Sequence, residues 1–104
     1  MIRKAFLMSV RPGCEAEYRR RHDELWPALA ETLKAHGASN YSIFLDSVSC
    51  QLFAYVEIGD EACWQAVATT RICQEWWAYM KEIMPSNPDN SPISRELVSV
   101  FCLP

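Results

Sequence analysis

NYSIFLD (Asn40–Asp46) and LFAYVEI (Leu52–Ile58) decide the fold. Both alternate, both are rich in aromatic and β-branched residues, and the polar stretch SVSCQ joins them. They read as an antiparallel hairpin. Strand side chains point to opposite faces in turn, so Tyr41, Ile43 and Leu45 share one face and Asn40, Ser42 and Phe44 the other.

Moving outward, the apolar spacing becomes helical on both sides. From Cys14 to His36 the pattern Tyr18, His22, Leu25, Leu29, Leu33 predicts one long amphipathic helix. Pro27 cannot donate to an i−4 carbonyl, so it kinks or divides this helix near Asp23–Trp26, or starts a second segment as its first residue. His36-Gly37 closes the element, with His36 at the negative end of the helix dipole and in need of no other role. On the other side, Asp60 or Gly59 caps a helix, and Thr69-Thr70 offers a fresh N-cap. The second segment is expected to reach about Met84, with Cys73, Trp77, Met80 and Met84 on one side and Trp76 toward its edge. Pro85 ends it.

The outermost segments read as strands. In Lys4–Val10, Phe6, Met8 and Val10 face one way and Ala5, Leu7 and Ser9 the other. Glu96–Leu103 (ELVSVFCL) is the last strand. The order is β-α-β-β-α-β, a ferredoxin-like α+β arrangement with a four-stranded antiparallel sheet and both helices on one face. The other sheet face is also apolar, and no third helix exists to cover it. The expectation is a homodimer packed sheet against sheet about a twofold axis.

The chain of 104 residues is expected to form a single domain, 1–104. Hydrophobic residues make up 50% and charged residues 22%, an ordinary globular mixture, and the net charge is −3. The basic run Arg19-Arg20-Arg21 is flanked by Glu15, Glu17, Asp23 and Glu24, so it reads as a solvated helix face laced with ion pairs. No phosphate-tracking stripe is present, which argues against nucleic acid as a partner. Cys14, Cys50, Cys63, Cys73 and Cys102 are widely spaced and odd in number, so they read as small apolar fillers in a reducing compartment. No secretory leader or membrane span is visible, and a soluble cytoplasmic protein is expected.

No phosphate-cradling glycine loop, Gly-x-Ser-x-Gly or metal-spaced cluster occurs, so no protein metal site is expected. What stands out is aromatic and polar. Tyr18 and His22 lie four apart and stack on one helical face, where a plain core helix would carry Leu or Ile. Trp26 and Trp64 read as large core side chains. Adjacent Trp76 and Trp77 are about 100° apart around a helix, so one of them lines a groove or an edge. Indole rings beside a histidine and tyrosine hydroxyls suit a ligand with an apolar face and a hydroxyl-rich rim, such as a sugar. Residues 85–94 (PSNPDNSPIS) are too rich in proline and asparagine for a regular element and read as a functional or flexible loop.

Several stretches together resemble the L-rhamnose mutarotase family over essentially the full length. They are RKAF (3–6), EYRRRHDELWPAL (17–29), NYSIFLD (40–46), ICQEWWAYMKEIMPSNPDNSP (72–92) and the terminal FCLP. Asp23 departs from the family pattern at a position read as surface. The resemblance implies a dimeric α+β barrel of ferredoxin-like subunits, interconversion of the α and β anomers of L-rhamnose, and no metal or organic cofactor. It implies that His22 is the proton donor and that Tyr18, Tyr41, Trp76 and Trp77 bind the sugar. Histidine suits such chemistry because its ordinary pKa near 6.5 lets it give and take protons at neutral pH. The base that accepts the anomeric proton is left open between His22 itself, Tyr18 and water. Two other readings use the same features: a cofactor-free oxygenase on the same kind of barrel, and a small-ligand-binding dimer with plain core aromatics.

Overall fold

A computed structural model describes residues 1–104. Its elements are β1 (Ile2–Ser9), α1 (Glu15–Asp23), α2 (Pro27–Ala35), β2 (Ser39–Asp46), β3 (Gln51–Ile58), α3 (Glu61–Val67), α4 (Arg71–Met80) and β4 (Arg95–Leu97). The sheet order is β2-β3-β1-β4 and every pairing is antiparallel. β1 runs against β3 along its whole length, from Ile2 opposite Ile58 to Ser9 opposite Gln51. This is the expected ferredoxin-like subunit.

The pleat sorts the side chains. Met8 and Val10 of the β1 side and Leu52, Ala54, Val56 and Ile58 of β3 are buried under the helices. Each large aliphatic side chain buried this way contributes roughly 1.5–3 kcal/mol. The opposite face carries Leu7, Phe44, Phe53, Tyr55 and Leu97, and Phe44 remains 68% exposed.

Both helical stretches are broken where the sequence breaks them. Pro27 is the first residue of α2, where its missing N–H costs nothing. α3 is capped by Asp60, whose carboxylate accepts from the Cys63 N–H at 2.8 Å. α4 is capped by the Thr70 hydroxyl, which accepts from the Cys73 N–H.

Three expectations need correction. α4 stops at Met80 rather than near Met84. Residues 81–84 tighten into turns, with the Ile83 N–H donating to the Met80 carbonyl, because Met84 precedes a proline and is biased away from helix. Ile83 and Met84 are buried all the same. The last strand spans Arg95–Leu97 rather than Glu96–Leu103. Val98, Val100, Phe101 and Leu103 are exposed, Phe101 by 77%. An alternating pattern forms a strand only where one face has something to bury against, and a single copy offers this tail nothing. Finally, the arginine run is not uniformly solvated. Arg19 and Arg20 are exposed, but Arg21 is only 6% exposed.

Candidate active site

α1 brings its fourth and eighth residues, Tyr18 and His22, one above the other. Their rings stack with centroids 4.2 Å apart and planes 26° apart. His22 Nδ1 lies 3.0 Å from the Tyr18 carbonyl oxygen. A carbonyl only accepts, so Nδ1 carries the hydrogen and Nε2 is left as the exchangeable nitrogen. Burial lowers the His22 pKa, opposed by the Tyr18 carbonyl and by the charge of Asp23.

The environment of the imidazole comes from α4. Trp76 meets His22 edge-on at 5.4 Å and 88°. Trp76 also meets Trp26 edge-on at 5.0 Å, and Trp26 stacks on Tyr79. Trp76 is 8% exposed and sits with buried Cys73 and Met80, while Trp77 is half-buried. The expected assignment of the two indoles is therefore reversed. Trp76, not Trp77, is on the inward stripe, because the inward direction of α4 is set by α1 and Trp26 as well as by the sheet. Both indoles line the same cavity as His22.

Arg21 fixes how α1 sits against α4. Its guanidinium donates to Glu17 Oε2 at 2.6 Å, to the Tyr79 carbonyl at 2.6 Å and to Glu82. It also lies 4.1 Å above the centre of the Tyr79 ring. The sequence reading missed this residue, because a pattern of flanking acids looks the same for a buried arginine and a solvated one.

Tyr41 reaches the cavity from β2. A β-bulge lies at its position: Asn40 and Tyr41 together stand opposite Val56, between the pairs Ser39–Glu57 and Ser42–Tyr55. Asn40 takes φ 47°, a left-handed conformation that asparagine tolerates, and its side chain donates to Glu57 Oε1 at 2.8 Å. The inserted residue puts Ser39, opposite Glu57, on the other face, while Tyr41 keeps the alternation of the strand and points to the helix side with Ile43. There its ring meets Phe6 at 6.3 Å and Trp64 at 5.9 Å. Trp64, expected as plain core, is thus part of the cavity wall.

Burial raises the phenol pKa values of both Tyr18 and Tyr41, and the neighbouring Tyr41 raises Tyr18 further. Both phenols stay protonated near neutrality. The Cys73 thiol on the same cavity is pushed up to about 11 by burial.

The cavity lies between the sheet and the helices and has a volume of about 1240 Å³. That is larger than the roughly 300–1,000 Å³ of ordinary ligand clefts. Volume alone does not locate a ligand here; the polar and aromatic groups do. The 85–94 loop supplies Asn87, Ser91 and Pro92 to the wall. It is held by its own bonds, with the Asn87 N–H donating to the Ser91 carbonyl at 2.8 Å and the Ile93 N–H to the Pro85 carbonyl at 3.1 Å. All five site residues expected from the sequence, His22, Tyr18, Tyr41, Trp76 and Trp77, converge on this one cavity. No three His, Cys, Asp or Glu side chains are grouped so as to hold a metal ion, and no helix is long and apolar enough to cross a membrane.

Fold and cavity together define a ferredoxin-like α+β protein in which one histidine, two phenols and indole rings line a single cavity. The family model described as L-rhamnose mutarotase matches residues 3–103. An L-rhamnose mutarotase of Tolumonas auensis is 72% identical over 103 residues, covering 99% of each chain, and one of Pectobacterium carotovorum is 59% identical with the same coverage. A crystal structure of an L-rhamnose mutarotase from Formosa agariphila superposes with a TM-score of 0.92 at 40% identity, covering all of both chains. The chain belongs to the L-rhamnose mutarotase family. A putative antibiotic biosynthesis monooxygenase from Bordetella bronchiseptica shares the fold, with a TM-score of 0.69, but is only 15% identical. That likeness is one of architecture alone and gives the oxygenase alternative no support.

Proposed function

We propose that this protein is an L-rhamnose mutarotase, an isomerase that interconverts the α and β anomers of the sugar through ring opening and re-closure. The observation that carries the reading is the His22 imidazole, whose Nδ1 is committed to the Tyr18 carbonyl and whose Nε2 is left for proton exchange in a cavity shared with both phenols.

Changing the anomer requires a proton to reach the ring oxygen and another to leave the anomeric hydroxyl. The aldehyde then rotates and re-closes on its other face. His22, in its charged form, donates from Nε2 to the ring oxygen and recovers the proton on closure. Tyr18 and Tyr41 hydrogen-bond sugar hydroxyls, and their raised pKa values leave His22 itself or water as the base at the anomeric centre. Trp76 and Trp77 provide flat apolar surface for the sugar's apolar face and methyl group. General acid–base catalysis supplies about 10²–10⁴-fold, which is enough where the uncatalysed reaction already proceeds in water.

The whole chain acts as one domain and as a homodimer joined through the apolar face of the sheet, forming a dimeric α+β barrel. The 85–94 loop shapes one wall of the site. The break before Pro27 ends α1 just past His22 and leaves room for a sugar beside it. A cytoplasmic location belongs to the same reading, and widely spaced free thiols fit a reducing compartment.

Saturation-transfer NMR on equilibrated L-rhamnose tests the function. Wild-type protein is expected to speed anomer exchange, and His22→Ala or His22→Asn to remove most of the gain. Exchange unchanged by wild-type protein would refute it.

A further inference from the structure

Lys4 stands where the sheet pattern asks for an apolar side chain. It shares the helix-facing side of β1 with Phe6 and Met8 and pairs with Val56, a fully buried residue of β3. A lysine with no task at such a position extends its ammonium to water. Lys4 does not: its side chain is 11% exposed, with Nζ 2.7 Å from Glu61 Oε1 in the first turn of α3 and 2.8 Å from Glu96 Oε1 on β4. Glu96 is itself on the helix side of β4, opposite Phe6. Lys4 and Glu96 line the same cavity as His22, Tyr18 and Tyr41.

Tying α3 to β4 accounts for part of this arrangement. It leaves hydrogen-bonding capacity unused. An ammonium has three donors, and the two carboxylates occupy two of them. Glu96 uses one oxygen and leaves Oε2 without a protein partner. Gln65, one turn along α3, donates to Glu61 Oε1 at 3.2 Å and also lines the cavity. A free N–H beside a free carboxylate oxygen matches two neighbouring sugar hydroxyls, one accepting and one donating.

The demand for such a group is chemical. His22, Tyr18 and Tyr41 cannot satisfy every hydroxyl of a pyranose, and the nearby floor is apolar, with Phe6, Met8 and Ile43. A hydroxyl buried without a partner disfavours binding, and Lys4, the buried member of the pair, rejects an analogue that places the hydroxyl elsewhere, while Glu96 is 65% exposed at the cavity's edge.

We propose that Lys4 and Glu96 form a hydroxyl-reading wall of the sugar cavity and set which hydroxyl configuration it accepts. This rests on the mutarotase reading, for which it supplies the basis of specificity.

The test measures anomer exchange by saturation-transfer NMR for L-rhamnose and for 6-deoxyhexoses of other hydroxyl configuration. The proteins are wild type, Lys4→Met and Glu96→Gln, each also melted to follow Tm. Glu96 is exposed on a short edge strand, so its variant keeps the test open if Lys4→Met folds poorly. Loss of a charge-assisted hydrogen bond is expected to raise KM for L-rhamnose about 10-fold or more, to affect kcat less, and to shrink the preference for L-rhamnose over its epimers. An unchanged preference overturns the proposal, as does a KM rise equal for all sugars that tracks a fall in Tm, the mark of a purely structural pair. If wild type accelerates no sugar, the mutarotase reading falls first and takes this wall with it. If wild type is active and the variants keep its preference, only the wall falls.

Discussion

At the scale of single residues, His22 shows how spacing and environment divide the work. Its four-residue offset from Tyr18 made the stacked pair legible before any coordinates. The tautomer was not legible, because it depends on the Tyr18 carbonyl 3.0 Å away. Nor was the lowered pKa, which burial causes. The two protonation effects have opposite signs. As a proton donor His22 must be charged, so the His22-dependent part of kcat/KM is expected to fall as pH rises through a midpoint below the ordinary 6.5. His22→Asn removes that limb. A limb that rises through the same midpoint would instead make Nε2 the base. Stability runs the other way. The unfolded chain binds the His22 proton near 6.5 and the folded chain only at lower pH, so this contribution is present above 6.5 and is lost as pH falls below it. The indole pair marks the limit of residue-level reasoning. Spacing showed that Trp76 and Trp77 diverge, but which one turns inward depended on where α1 docks.

At the scale of elements, the punctuation of the chain was readable. Pro27, Asp60 and Thr70 each start a helix for a local reason. The face of Tyr41 was readable from alternation with Ile43, but the bulge at Asn40–Tyr41, which turns Ser39 to the opposite face, was not read. A strand pattern shows alternation, and the residue that breaks its phase is visible only against the partner strand. Asn40→Val places a β-branched side chain at φ 47°, a cost of about 1–2 kcal/mol. It is expected to lower the urea midpoint and to raise KM for L-rhamnose by disturbing the backbone that carries Tyr41. Asn40→Gly, which accepts the same backbone conformation, is expected to keep KM close to wild type. If the two variants bind sugar equally well, the bulge conformation does not matter for placing the tyrosine. Arg21 belongs to this scale too, since it joins α1 to the end of α4 through Glu17, Tyr79 and Glu82.

At the scale of the molecule, one sheet face is covered by helices and the other carries Phe44 and Phe53 in the open and Leu97 half-buried. The apolar tail after Leu97 is likewise exposed, with Ser99 touched only by Arg3 at 3.5 Å. The proposed dimer would cover this exposed apolar surface. Size-exclusion chromatography with light scattering is expected to return twice the mass of the chain. Phe44→Glu combined with Phe53→Glu, which buries like charges opposite each other in a sheet-to-sheet dimer, is expected to shift it to the monomer mass. A wild-type monomer would sink the dimer, and a fully dimeric double variant would move the interface off this face.

By itself the sequence determined the order of the elements, the breaks in both helices, the two-faced character of the sheet and the family, and it singled out His22, Tyr18, Tyr41 and the indole pair, which line one cavity. These follow from periodicity, local backbone chemistry and long contiguous motifs, all of which act along the chain. Tertiary structure alone decided which indole turns inward, that Arg21 is buried while Arg19 and Arg20 are not, that a bulge turns Ser39 to the open face of the sheet, and that Lys4 meets Glu61 and Glu96 at the cavity. Each of these depends on the packing of elements remote in sequence. The tail from Val98 to Pro104 belongs to the same group: its strand-like alternation is written in the sequence, but one copy of the chain holds no surface for it to bury against.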